Sequence, residues 1–232
     1  PLPAQGRDRD FADGLRARKR EHVAGTTIVD EWSALKRDLA SLDEAAIVAR
    51  HAHLAADVRM LIAQAGDTSN LILDPDLDSY YVMDIVVGSG PQTIDRLAVI
   101  AAFAAGRTGR PLTDDDRTAL SVFAHTLRES DRDRIANAVT TALSEDEMFF
   151  GTSPSLAANL TPAASTYARA VDQVIAAAED GAQATDGRAE MATLLTAATS
   201  ARESATTLWN TSAAELDTLL STRISALRTT QL

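Results

Sequence analysis

Apolar positions along the chain recur at alternating steps of three and four, and no stretch sustains the period-two alternation of a half-buried strand. The clearest stripes are Ile47, His51, Leu54, Val58, Leu61 and Ala65, and later Trp209, Ala213, Leu216, Leu220, Ile224 and Leu227. That rhythm is the seam of a bundle helix. Start and stop signals divide the rest. A mostly charged first helix is expected over 8–40, weakened at Gly14 and Gly25, with Trp32, Leu35 and Leu39 near its end. Ser41 and Glu44 read as a capping box for a second helix ending at Gly66. After a link over 67–73, Asp74 and Pro75 restart a helix as N-cap and first helical residue. Gly88-Ser89-Gly90 reads as its stop, and Pro91 opens a helix carrying Ile94, Leu97, Ile100 and Phe103.

Gly106 to Pro111 forms a tight connection, and Thr113 caps a longer helix with Asp114, Asp115 and Asp116 at its positive end. Residues 147–162, with Gly151, Pro154 and Pro162, form the longest irregular stretch. Two helices follow, broken near 181–187, the last spanning 188–227. A helix of about forty residues spans about 60 Å, longer than a compact domain of this mass is wide. The expected fold is therefore all-α: one domain over 1–232, an elongated up-and-down helix bundle, with two stacked four-helix modules sharing long helices as a variant.

Composition sharpens this picture. Hydrophobic residues make up 45% of the 232, but aromatics only 4%. Much of the apolar content is alanine, which favours slim, closely packed helices. The net charge of −11 argues against nucleic acid as a partner, because phosphates require a basic face. There is no cysteine, hence no disulfide and no thiolate site. No run approaches the ~18 apolar residues of a membrane helix, and there is no signal peptide. The chain starts Pro1-Leu2-Pro3 without an initiator methionine, which suggests a segment excised from a longer parent.

Chemistry-bearing motifs are sparse. His22, His51, His53 and His125 are the histidines; His51 and His53, two apart on a helix, point to different faces, and His51 is expected in the core. P-loop, zincin, nucleophile-elbow and Rossmann fingerprints are absent. No catalytic residue, metal or cofactor is expected, so the domain is read as a non-enzyme. The most unusual segment, Asp67 to Asp84, concentrates aspartates and two tyrosines. Asp74, Asp76 and Asp78 open like an EF-hand loop, but Ser79 and Ile85 stand where glycine and glutamate are required. Leu73, Leu77, Tyr80, Tyr81 and Val87 are expected to pack. Asp84 shares their face and needs a partner: a tyrosine hydroxyl, an arginine or a ligand. Asn70, Asp74, Asp78, Tyr80, Tyr81 and Asp84 are the candidate ligand-contacting residues.

The block from Gly66 to Asp84 resembles one in the periplasmic helical sensor regions of bacterial methyl-accepting chemotaxis proteins and some membrane-bound histidine kinases. The Gly151-Thr152-Ser153-Pro154-Ser155-Leu156 loop is similar too, as is the run Leu208-Trp209 … Glu215-Leu216-Asp217-Thr218-Leu219-Leu220 … Arg223-Ile224. The resemblance covers about 32–227 and is specific in the central block. It implies a periplasmic or extracellular domain looped out between two membrane helices, acting as a homodimer and binding a small molecule or a periplasmic binding protein. It carries over no ligand residues, and the acidic character of the central motif is a poor match for a carboxylate ligand. The arrangement would put both chain ends at one pole, with Arg9 close to Arg228. Two rival classes make different demands. A cytoplasmic helical scaffold requires a parent gene without flanking hydrophobic spans, and a metal enzyme built on Asp67, Asp78, Asp84 and a histidine requires bound metal.

Overall fold

The computed structural model describes residues 23–185 and 187–230, and it is all-α over them. Helix α1 (Val23–Asp38) and helix α2 (Glu44–Thr68) come first. A 3-10 turn (Leu71–Leu73) leads to α3 (Leu77–Met83), a π-helical segment (Asp84–Ser89) and α4 (Gly90–Ala105). Then come α5 (Asp114–Thr126), a second π-helical segment (Leu127–Asp133), α6 (Arg134–Glu145), α7 (Leu156–Gln183) and α8 (Arg188–Thr230). The chain divides into two compact units, Pro1–Ala65 and Gly66–Leu232, and the boundary falls inside α2. Arg9, and the expected first helix before Val23, lie outside the described residues.

In the first unit, Ile28 and Leu35 are buried on α1. Trp32 meets His51 edge to face at 6.3 Å, and Arg50 pairs with Asp38 at 2.9 Å. His51 is nevertheless exposed, its Nδ1 lying 2.9 Å from the Ile47 carbonyl, and so is not the core histidine expected. The cap of α2 also differs. Asp43 Oδ1 accepts from the Ala46 amide at 2.8 Å, while the Ser41 hydroxyl turns back to the Asp38 carbonyl. A carboxylate two residues nearer the helix displaces the serine as cap.

The second unit is an up-and-down four-helix bundle: α3–π–α4, α5–π–α6, α7 and α8, each packed on its chain neighbour, with α4 closing the ring against α8. Its buried stripe on the first rod is Asp78, Val82, Ile85, Ser89, Thr93, Leu97, Ile100 and Ala104. On the second rod it is Leu120, Ala124, Leu127, Asp131, Ile135, Ala138 and Ala142. Each stripe alternates fours and threes except at the π turn, where successive steps of four occur. An α-helix would rotate such positions away from the core; the wider π turn absorbs the extra residue and keeps them facing inward. On α8 the stripe is Met191, Leu194, Ala198, Ala201, Ala205, Leu208, Ser212, Glu215 and Leu219. It runs one residue before the expected one, of whose positions Leu216 is also buried, and it stops sooner, so Ile224 and Leu227 are exposed.

Gly88-Ser89-Gly90 does not end a helix. It lies at the π turn of a continuous rod, where the Gly90 amide donates to the Ile85 carbonyl five residues back. A Cβ on Gly90 would sit 2.5 Å from that oxygen and 2.9 Å from Trp209 Cδ1, so glycine serves close approach here. Irregular chain after α6 ends at Ser155, earlier than expected, and Pro162 lies inside α7. Leu156 and Leu160, both fully buried, anchor that first turn and outweigh the one backbone bond that proline removes. Thr113 caps α5, as the sequence predicts, and Asp116 completes a capping box with it.

Candidate functional site

The acidic motif is tied to the end of α8 by one cation. Arg223 Nη2 lies 2.7 Å from Asp74 Oδ1, 2.6 Å from Asp76 Oδ2 and 2.6 Å from the Ser79 hydroxyl. Asp74 and Pro75 do not start the helix as expected. Asp74 Oδ1 accepts instead from the Asp76 amide at 3.1 Å, an Asx turn that delays α3 to Leu77 and aims both carboxylates at Arg223. The Asp74 side chain is 1% exposed and that of Arg223 17%, so the pair is shielded from solvent screening. Phe150 lies under the guanidinium at 5.9 Å.

The same helix holds two further contacts. Trp209 Nε1 donates to the Val86 carbonyl at 2.8 Å, a group inside the first π segment, where the widened turn leaves carbonyls free for outside donors. Buried Glu215 accepts from the Ser155 hydroxyl and from Asn159 Nδ2, each at 2.7 Å. Beside it the bend before α7 is fixed by buried Asp146, which accepts from the Ser153 amide at 3.0 Å.

Deeper in the bundle, the two π segments frame a polar layer. Asp131 is 1% exposed; its Oδ2 lies 2.8 Å from Arg96 Nε and its Oδ1 2.9 Å from the Thr93 hydroxyl. Burial pushes the Asp131 carboxyl above its ordinary range, opposed by Arg96 and Thr93. Thr93 also sits 2.8 Å from the Ser89 carbonyl, so its one proton serves two acceptors in turn. The Tyr167 hydroxyl, from α7, is buried beside them, and burial raises it above the usual phenol range.

The candidate residues are distributed as follows. Asp74 belongs to the Arg223 cluster. Asp78 is buried and accepts from the Ser79 amide at 2.6 Å; burial raises its carboxyl above the ordinary value. Tyr80 and Tyr81 pack half-buried against the core, edge to face at 5.4 Å. Asn70 is exposed at φ 56°, turning the chain between α2 and the 3-10 turn. Asp84 takes the arginine among its three possible partners, with Arg134 Nη2 at 2.6 Å and Nε at 3.2 Å. Leu73 and Leu77, expected to pack, are exposed. The EF-hand-like carboxylates face protein cations and amides, and among the described residues Asp67, Asp78 and Asp84 do not gather with a histidine.

Sequence reasoning missed Arg223 as the partner of the acidic motif, and missed Asp131, Arg96 and Thr93 altogether. A signal for Asp131 existed: it falls four residues after Leu127 and four before Ile135, on the buried stripe. No family model, curated protein or solved structure matches this chain.

Proposed function

We propose that this chain is the extracytoplasmic sensory domain of a bacterial transmembrane receptor, a chemoreceptor in preference to a histidine kinase. What supports the reading is a convergence. The three separate segments that resemble such receptors meet through α8: the acidic block through Arg223 and the 151–156 loop through Ser155 and Glu215. A motif whose carboxylates are held by the protein's own arginine serves better as a latch on the terminal helix than as an open ligand pocket.

In this reading a small molecule or a binding protein biases two packings of the bundle, through differential affinity for the two. The π turns are the adjustable elements, because a helix can carry or release the extra residue with few other changes. α8 conveys the change as a shift of ~1–2 Å. Among the described residues no helix is long and apolar enough to cross a membrane, so the reading places the membrane helices in flanking sequence. The parent gene tests it: an apolar span of about 20 residues is expected on each side. A parent whose flanks are polar throughout would overturn the proposal in favour of a helical scaffold.

A further inference from the structure

The unit Pro1–Ala65 brings Glu31 of α1 together with His53 and Asp57 of α2, each offering one donor atom, all within 4.8 Å of one another. His53 Nε2 and Asp57 Oδ2 are 3.5 Å apart, an i,i+4 pair on one helix face. Tetrahedral zinc with bonds of about 2.0–2.1 Å sets its ligand atoms about 3.3 Å apart. The helical pair already stands near that spacing, so only Glu31, on the other helix, has to close in. Two carboxylates and a neutral imidazole balance a divalent charge. One nitrogen and two oxygens suit the zinc class better than magnesium or calcium, which take six or more oxygens. The same three residues line a groove of about 290 Å³ with Ile28, Met60 and Leu61, which leaves room beside the donors for a further ligand.

We propose that Glu31, His53 and Asp57 bind one divalent transition-metal ion of the zinc class, which ties α1 to α2 and keeps one coordination position open towards the groove. Three protein ligands with a fourth position free is the pattern of sites that act on or sense a small ligand, as opposed to closed structural sites. The site stands independently of the receptor reading and would serve a scaffold equally. A built-in comparison exists on α5 and the second π segment. His125 Nε2 and Glu129 Oε2 form the same i,i+4 pair at 3.4 Å, but among the described residues no third ligand joins them.

Calorimetric titration of the intact, metal-free chain with zinc, and separately with magnesium, tests the site. One zinc per chain is expected, with a raised thermal midpoint and no comparable magnesium binding. Glu31→Gln, His53→Ala and Asp57→Asn should each weaken zinc by about tenfold or more, while their metal-free midpoints stay at the wild-type value. His125→Ala should bind as wild type does. Absence of a stoichiometric site, preference for magnesium, or full affinity in Glu31→Gln would overturn the proposal; the last would mean that the ion does not bridge the helices. With cobalt in place of zinc, added azide should change the visible absorption, and an unchanged spectrum would refute the open position.

Discussion

Replacing Gly90 by alanine sets two physical effects against each other. In the interior of a helical rod, glycine-to-alanine is worth about 1 kcal/mol of added stability from propensity alone. At Gly90 the new methyl would meet the Ile85 carbonyl oxygen at 2.5 Å and Trp209 Cδ1 at 2.9 Å. The first contact is with backbone, and it can be relieved only by opening the π turn; the second displaces the indole that donates to the Val86 carbonyl. Overpacking of this kind costs about 1–3 kcal/mol, and the lost indole bond about 1 kcal/mol more. Net destabilisation of about 2 kcal/mol is expected, a fall of roughly 4–8 °C in midpoint for a chain of this length. Gly181→Ala is the comparison. Its Cβ would press on Met191 Cε at 3.0 Å and Leu120 Cδ1 at 3.1 Å, side-chain ends that can move, so a change within about 1 kcal/mol is expected. Urea denaturation followed by circular dichroism, with tryptophan emission in a Trp32→Phe background as a second probe, measures both. A Gly90→Ala protein as stable as wild type would refute the close approach at the π turn.

Other expectations follow from the same contacts. Arg223→Met should cost about 3 kcal/mol, because it strands the buried Asp74 carboxylate, and amide exchange near the end of α8 should quicken. Asp131→Ala, which leaves Arg96 without its buried partner, should cost about 3 kcal/mol by denaturant unfolding, and Asp131→Asn less, because an amide can still accept from Thr93. Thr113→Ala should lose about 1 kcal/mol from the helix cap. Asp116 gives a pH signature. Burial works to raise its carboxyl, but hydrogen bonds from Arg107 and from the Thr113 amide and hydroxyl prevail and hold it at about 2. With an unfolded value of about 3.9, its contribution is complete above pH ~4 and is lost as pH falls towards 2. Acid titration of Asp116→Asn stability should therefore lack that part of the wild-type slope.

Helices were legible in this sequence wherever local chemistry decides them. The Thr113 cap, the break before α8 and the length of α8 all follow from residues within one turn of the feature. One group of errors traces to the π turns. An inserted residue converts an apparent stop at Gly88-Ser89-Gly90 into a continuous rod, and keeps Thr93 and Ile135 on buried stripes that a regular three-four rhythm would not hold. Asp74 misled for a different reason. Its preference for capping is local, but Arg223 lies 149 residues further on, and an ion pair across that separation leaves no periodic trace. Glu31, His53 and Asp57 escaped notice likewise, because an i,i+4 pair is visible in sequence but its third member sits on another helix.

The proposed receptor function makes one demand on the molecule: occupancy by a ligand must reach α8. Hydrogen exchange of the intact chain, mapped along α8 with and without a compound that raises its melting temperature in a screen of small metabolites, measures this directly. Such a compound is expected, and with it changed protection around Trp209 and Arg223 together with the two π segments. A bound compound that leaves protection along α8 unaltered would contradict the receptor reading.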